Sequence, residues 1–534
     1  MIRWVLSLSA GFALPLVLAG GCAYMPQGGE HAEFLDPPSM NSVLPKVLAK
    51  QPAAQNIGWP EENWWQRFKS PGLDRIMEIA LRENPGLKKA YARLGEAGAV
   101  AQVEGARLLP WLDSDNTFRN LRYAKHGIVA SYNPALGGTN RTSDTLNPLS
   151  FRFEFDFWGK NRAALEAALG EAAAEEAEFA EARLLLTVEI ARAYIRGVVL
   201  SQQLRLIKDI AKVARGQLDV ARTRFQTGLG PADAVMQSTL DLNVVIKVEA
   251  NTRQLLVIEQ NLLVRLMGQG PDAAQNLFAR EGVSVPARIP IPERLPIELL
   301  AHRPDLAAAM HRAEAAAERI HMAKAQFLPS IDLAAATAGL EATGLTKHIG
   351  MLPSLLFRGS DLNYVIAPGF HLPLFEGGRL RGQLAAARSQ YDESVELYND
   401  TLLHAVQQVS DGLSNLKQTG AVLKAQKDLL NASRGEVRLA QVRARSGLVD
   451  RREILGVQRG FLDQKFALKA SEADHLLAAI DVIQALGGGY ANGIEASRPR
   501  LAPEEALAGA ENLTPASILE KAAAPLTPFV RDAE

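Results

Sequence analysis

Phe151-Arg152-Phe153-Glu154-Phe155-Asp156-Phe157 sets an aromatic ring at every odd position and a charge at every even one. Successive side chains of a strand point to opposite faces, so this is a strand with one oily face and one wet face. Taken alone, the pattern is better explained as a half-buried strand of a soluble α+β protein. Phenylalanine opposed to Arg, Glu and Asp is also the lipid-out, lumen-in alternation of a membrane barrel. What surrounds the stretch decides between them. The same phase returns in Tyr364, Ile366, Phe370, Leu372 and Leu374, because 370 − 151 = 219.

That offset runs through the chain. Asn84-Pro85-Gly86-Leu87 aligns with Arg303-Pro304-Asp305-Leu306, and Arg107-Leu108-Leu109-Pro110 with Gln326-Phe327-Leu328-Pro329. Trp158-Gly159-Lys160-Asn161-Arg162 meets Gly377-Gly378-Arg379-Leu380-Arg381, and Arg224-Phe225-Gln226-Thr227-Gly228 meets Arg443-Ala444-Arg445-Ser446-Gly447. Four anchors at one spacing mark an internal repeat. Two copies, each far longer than a solenoid unit, make a duplicated architecture and not an array.

Ser70-Pro71 supplies an N-cap and a proline at the first helical position, so helix is expected to about Leu109, interrupted near Pro85. From Gly159 to Gly230 there is no proline, and Ala, Glu, Leu, Arg and Gln dominate. Leu184, Val188, Ala191, Ile195 and Val198 recur at 4-3-4-3 spacing, as do Leu402, Val406, Val409, Leu413 and Leu416. That is a coiled-coil seam. A helix of this extent is about 100 Å long and needs a partner helix to bury its seam. Thr227-Gly228-Leu229-Gly230-Pro231 breaks the first run before helix to about Gly268, and Ser446-Gly447-Leu448 breaks the second before helix to about Leu486. Each copy thus holds a long helical hairpin. Trp111 to Phe118 and Ser330 to Thr337 are expected as first strands, with Gly-, Asn-, Thr- and Ser-rich loops over 124–147 and 340–362.

Length alone suggests three or four domains, whereas the repeat argues for one pseudo-symmetric body over 59–270 and 297–490. Fifty-eight basic and fifty-nine acidic residues are interspersed, which points away from nucleic acid. No internal stretch approaches the ~20 apolar residues of a spanning helix. Residues 1–21, with Arg3, the apolar run Trp4 to Leu18 and Ala19-Gly20-Gly21, form an expected secretory signal. Cys22, the sole cysteine, leaves no intrachain disulfide. Residues 22–58 form an expected extended linker, 271–296 with five prolines a connecting strap, and 491–534 a disordered tail. The nine histidines are scattered without HExxH or a Cys/His cluster, and Gly487-Gly488-Gly489 ends a helix instead of opening one. Neither GxSxG nor a P-loop occurs, so no enzyme, cofactor or metal site is expected.

Four strands per chain cannot close a barrel in lipid, where open edges leave backbone groups unsatisfied. Three copies would give twelve strands, with the helical hairpins extending from the membrane. With these parts the chain resembles the TolC/OprM outer-membrane factor family. The residues that carry the resemblance are Asn63-Trp64-Trp65-Gln66-Arg67-Phe68, Asn84-Pro85, Leu109-Pro110, Phe155-Asp156-Phe157-Trp158-Gly159, Arg303-Pro304-Asp305, Phe327-Leu328-Pro329, Leu372 to Arg379 and Ala485 to Tyr490. The N-terminus resembles a bacterial lipoprotein signal in which Cys22 takes a covalent lipid such as palmitate. It departs at Ala19, where that pattern has Leu, with Leu18 one place earlier.

The resemblance implies a mixed α/β membrane protein: a homotrimeric twelve-stranded β-barrel in the outer membrane of a Gram-negative bacterium, continued by a periplasmic α-helical barrel. It implies a passive efflux duct for drugs and toxic compounds, with a periplasmic adaptor (membrane fusion protein) and an inner-membrane transporter as partners. Phe151, Phe153, Phe155, Phe370, Leu372 and Leu374 would face lipid. An equatorial collar would come from 59–70, 271–296 and the part after Gly489. The hairpin tips, Gly228-Leu229-Gly230 and Gly447-Leu448-Val449, would meet the adaptor.

The family narrows its periplasmic aperture with an aspartate ring, aided by a tyrosine and an arginine. This chain has Gly456 and Ala444 at the first two positions, and only Arg459 matches. Glu453, expected on one helix face with Gly456 and Arg459, would then supply the acidic ring, paired with an arginine of a neighbouring helix. A type I secretion or metal-ion efflux duct is the alternative within the class. A lipid-anchored periplasmic coiled-coil adaptor is the alternative outside it.

Overall fold

The structure is a computed structural model that describes residues 25–26, 31–38, 59–274, 277–278, 302–344 and 362–490. Cys22, the signal over 1–21, most of the 22–58 linker and of the 271–296 strap, and the 491–534 tail lie outside the described residues. The chain divides into Met1–Tyr490 and Ala491–Glu534, and all the described residues belong to the first unit.

The repeat is exact in its helices. α1 (Pro71–Glu83) leads into α2 (Pro85–Ala106), strands β1 (Trp111–Arg122) and β2 (Asn140–Phe155), then α3 (Lys160–Gln226) and α4 (Ala232–Leu266). The second copy runs α5 (Pro304–Ala325), β3 (Ser330–Gly344), β4 (Leu362–His371), α6 (Arg379–Arg445) and α7 (Arg451–Ala485). α3 and α6 each span 67 residues, about 100 Å at 1.5 Å per residue. α4 and α7 each span 35, and α2 and α5 each span 22.

One long helix needs more than one partner. α3 packs against α2 and α5 towards the strands, and against α4 and α7 towards the tips, while α6 packs against α5 and α7. Leu184, Val188, Ala191, Ile195 and Val198 are all buried, but not in a two-helix seam. They sit in the main core with Trp64, Trp65, Phe68, Leu73, Leu263 and Ile480. The hairpin seam proper lies further along, where Ile207, Ile210, Ala211 and Ala214 pack with Val245, Leu462 and Phe466. Towards the strands the helices approach through alanine: Ala163, Ala167, Ala174 and Ala177 of α3 are buried, as are Ala308, Ala315 and Ala323 of α5. A Cβ on Gly170 would lie 3.0 Å from that of Ala315, so the two helices pack nearly backbone to backbone there.

Asn84 caps α2 by accepting from the Leu87 amide at 2.9 Å, and its Nδ2 donates to the Leu266 carbonyl at 2.8 Å. Ser70 stands at the N-cap of α1 but does not cap it. Its hydroxyl is 2.9 Å from the Tyr194 hydroxyl, because both are buried and must satisfy each other.

The strands form one antiparallel sheet in the order β1-β2-β3-β4. Directly opposed residues share a face. Phe155, Ile331 and Phe370 form one cross-strand row, and Phe153, Leu333 and Pro368 the next. On the other face Glu154 lies opposite Asp332, and Asp332 opposite Gly369. A Cβ on Gly369 would come within 2.5 Å of the Asp332 carboxylate, so glycine makes room for that acid to lie across the strand.

Three expectations are corrected. β2 starts at Asn140, inside the stretch read as loop, because pairing with β1 and β3 makes a strand where Thr142, Ser143 and Asp144 carry no apolar alternation. It ends at Phe155, since the Asp156 carboxylate turns to accept from the Asn161 and Arg162 amides and starts α3. β4 ends at His371, so Leu372 and Leu374 are not strand residues. Pro373 follows, buried and without an N–H to extend the ladder.

The described N-terminal residues, 25–26 and 31–38, form neither helix nor strand and are pinned against α6. Arg388 donates to the Pro26 carbonyl at 3.0 Å, and the Leu35 amide donates to Asn399 Oδ1 at 2.9 Å. Asn399 Nδ2 returns a bond to the Glu33 carbonyl, and Phe34 packs edge-on against Tyr398.

Candidate functional site

Both hairpin tips are built by one device. At the end of α3, the Gly228 amide bonds the Phe225 carbonyl and the Leu229 amide bonds the Arg224 carbonyl. At the end of α6, Gly447 bonds Ala444 and Leu448 bonds Arg443 in the same pattern. These are Schellman closures, which require a left-handed residue: φ is 73° at Gly228 and 71° at Gly447. The hydrogen-bonded turn pushes Leu229 and Leu448 into solvent.

The second tip continues into an N-cap. Asp450 Oδ1 accepts from the Glu453 amide at 3.0 Å, which starts α7. That bond, with Arg452 and Arg224 nearby, holds the Asp450 carboxyl below the usual range. Asp450 also lies 3.6 Å from Arg224, so the two tips of one protomer are joined by an ion pair. Sequence reasoning alone does not find this pair. Its only local signal is Asp450 three residues before Glu453, the spacing of a capping box.

Glu453 and Gly456 are exposed in the first turns of α7. Arg459 stands at the edge of their face, because six residues advance a helix by 240° and place it 120° round from Glu453. Its Nε donates to both oxygens of Asp463 at 3.0 Å. The exposed stripe is instead Glu453, Gly456, Gly460 and Asp463, at spacings of 3, 4 and 3. A Cβ on either glycine would meet nothing within 4 Å. Ala444 is half-buried. Among the described residues, Glu453 forms no ion pair with an arginine of its own protomer.

At the other end of α7 the chain closes on itself. Arg303 is buried before α5, where it donates to Asp305, to Gln408 Oε1 at 3.0 Å and to the Ala485 carbonyl at 2.8 Å. Burial, and then the Asp305 charge, push the Glu181 carboxyl up to about 7 against the opposing pull of Arg303. Burial, with Glu176 beside it, pushes the Tyr490 hydroxyl up to about 12. Trp59 stacks on His302 at 3.9 Å, and His302 Nδ1 lies 3.1 Å from the Tyr490 carbonyl. Trp59, the start of α5 and the end of the second repeat therefore meet here.

The profile of the family described as "Outer membrane efflux protein" matches residues 76–269 and 295–488, two matches that start 219 residues apart and together cover well over half the chain. The fusaric acid resistance protein FusA of Burkholderia cepacia is 30% identical over 380 residues, 71% of this chain and 69% of that protein. The pyoverdine export outer membrane protein OpmQ of Pseudomonas putida is 29% identical over 477 residues, 85% of this chain and 94% of its own length. Among solved structures, the outer membrane protein VceC of Vibrio cholerae is 31% identical with a TM-score of 0.70, covering 81% of this chain and 100% of that one. The CmeC outer membrane channel of Campylobacter jejuni, at 19% identity and a TM-score of 0.74, covers 89% of this chain and 96% of its own, and shows the fold alone.

Proposed function

This chain belongs to the outer membrane efflux protein family, and on that premise we propose that it is the exit duct of a tripartite pump expelling small toxic organic molecules. The family is one of channels. Its members are trimers whose β-barrel continues into a long α-helical barrel, and this chain is an outer-membrane efflux protein of that fold. The observation that carries the proposal is the four-stranded sheet with two open edges and one apolar face, set beside helices about 100 Å long. An anchored adaptor would need the helices but not the sheet.

In this reading Phe151, Phe153, Phe155 and Phe370 face lipid, joined by Ile331 and Leu333, while Glu154 and Asp332 face the lumen. Cys22 carries the covalent lipid. A periplasmic adaptor docks at the exposed Leu229 and Leu448 tips, and an inner-membrane transporter supplies the energy. The relatives' names favour small molecules over polypeptides as cargo: fusaric acid for one, pyoverdine for another. A strain lacking this chain should accumulate a small amphipathic dye, and re-expression should lower the accumulation. Unchanged accumulation with adaptor and transporter intact would count against the duct.

Glu453, with Asp463 two to three turns on, lines the aperture on the proposed reading, and Gly456 leaves the gap between them free of side chains. Glu453→Ala should therefore reduce the cation preference of the trimer, read as a smaller reversal potential under a KCl gradient in planar bilayers. A variant with wild-type conductance and reversal potential sinks the acidic ring.

A further inference from the structure

The two repeats of one protomer already meet along one seam. There α3 packs on α5 and α7, and β2 pairs with β3. The outer flanks are open: β1 and β4 are the sheet edges, α4 packs chiefly on α3, and α6 on α5 and α7. Because α2, α3 and α4 each have a counterpart 219 residues on, the internal α3–α7 seam specifies a second one. In that second seam α6 replaces α3, and α4 of the next protomer replaces α7. The strands give the same order independently, since β4 and β1 are the counterparts of β2 and β3.

Residue pairs transfer across this offset. Ile210 of α3 is 5% exposed in the internal seam, whereas its counterpart Leu429 is 53% exposed. An apolar side chain that is covered in one copy stands bare in the other. Leu455 lies over Gly216, where a Cβ would sit 3.5 Å from its two methyl carbons. The counterparts are Met236, 65% exposed, and Gly435, beside which a Cβ meets nothing. Here a knob and a hole each lack a partner. Arg192 donates to Asp481 at 2.6 Å and to Gln484 at 2.8 Å. Counterparts of Arg192 and Gln484 are Asp411 and Arg265, a complementary pair with the positive charge now on the other helix. Both are exposed. Among the described residues Asp411 accepts from Gln407 alone, and Arg265 forms no ion pair.

We propose that α4 of one protomer seats on α6 of the next in the register of the α3–α7 seam. Met236 then fills the space over Gly435 of the partner subunit, and Arg265 pairs with Asp411 of the partner subunit. The occupant is a second copy of this chain, selected by shape at one end of α4 and by charge at the other. The same transfer leaves the tips unequal. Arg224 pairs with Asp450 within a protomer, but their counterparts are Arg443 and Pro231, which cannot form an ion pair. The ion pair that ties the two tips of one protomer thus has no counterpart across the second seam.

The test uses the full-length trimer, whose only native cysteine is Cys22, its sulfur occupied by lipid on the proposed reading. Met236→Cys with Gly435→Cys should give covalent dimers and trimers on mild oxidation, seen on a non-reducing gel, while either single variant gives none. Gly216→Cys with Leu455→Cys should oxidise within one chain, with no change in oligomer size. Met236→Cys with Asp428→Cys, one heptad away, should not cross-link. A size-verified trimer that cross-links only in the shifted pair, or in neither, overturns the register.

If the cysteine pair disturbs assembly, charge exchange decides. Arg265→Asp and Asp411→Arg should each lower the temperature at which the trimer dissociates, and the double variant should regain most of the loss. Failure to regain it overturns the pairing. The inference rests on the trimeric fold and not on the cargo, so these outcomes leave the duct untouched. A protein that never forms trimers would count against the duct itself.

Discussion

Gly487→Ala should prevent the folded trimer from accumulating. Gly487 closes α7 at φ = 83°, a conformation costing an alanine about 1 kcal/mol or more. Its amide bonds the Gln484 carbonyl, and the Gly488 amide bonds Ile483, so the turn cannot relax without uncapping the helix. The space is closed as well. An added Cβ would lie 1.8 Å from the His302 carbonyl oxygen and 3.3 Å from Arg303 Cα. Both are backbone atoms, so no rotamer change relieves the overlap. Overpacking of this kind adds roughly 1–3 kcal/mol where the surroundings can yield, and more where they cannot. Gly456→Ala is the comparison. That glycine is helical, its added Cβ meets nothing, and the exchange should stabilise the helix by up to about 1 kcal/mol. The measurement is the amount of trimer in the outer-membrane fraction and its dissociation temperature in detergent. A Gly487→Ala trimer as abundant and heat-stable as wild type would refute the close approach.

Arg303→Met should be the next most damaging change. The side chain is 6% exposed and joins Asp305 of α5, Gln408 of α6 and the C-terminal carbonyl of α7 at Ala485. Removing one partner from a buried charge network typically costs about 3–5 kcal/mol, because the remaining groups keep their desolvation penalty. Asp305 is a quarter exposed, which places the cost towards the lower end.

The loss also has a pH signature. The Glu181 carboxyl, raised to about 7 in the fold from 4.5, holds its proton more tightly in the folded state. Its contribution to stability is therefore complete below about pH 4.5 and is lost as pH rises towards 7. Arg303 is the charge that favours ionised Glu181, so without it the folded value moves further up. The deficit of Arg303→Met relative to wild type should then be larger at about pH 8 than at about pH 5, on either side of the folded-state titration. A deficit independent of pH would remove Glu181 from the network.

Much of this was legible along the chain because it depends on covalent order. The 219-residue offset, the proline-free runs and the glycine punctuation at Gly228 and Gly447 give helices whose ends agree between copies to the residue. Period-two alternation placed the apolar face at Phe151, Phe153 and Phe155, since a strand's faces follow from parity alone. Less was legible at the aperture. Glu453 and Gly456 do share a stripe, but Arg459 turns aside to Asp463, a pairing that i, i+4 geometry favours. Nor could local pattern find Asp450 and Arg224, which meet only because α3 and α6 run to the same length and bring their tips together.

The sequence by itself determined a duplicated chain of long helices and amphipathic strands, and an assembly in which the sheet edges must close. Periodicity and steric rules act between near neighbours, so they can be read in one dimension. Tertiary structure alone decided that β4 stops at His371, that the Leu184–Val198 stripe lies in a many-sided core, and that Arg303 is a buried junction. It also decided which flank of each repeat is covered and which stays bare. Burial and ion pairing depend on residues remote in sequence, and only packing fixes which of them come within reach.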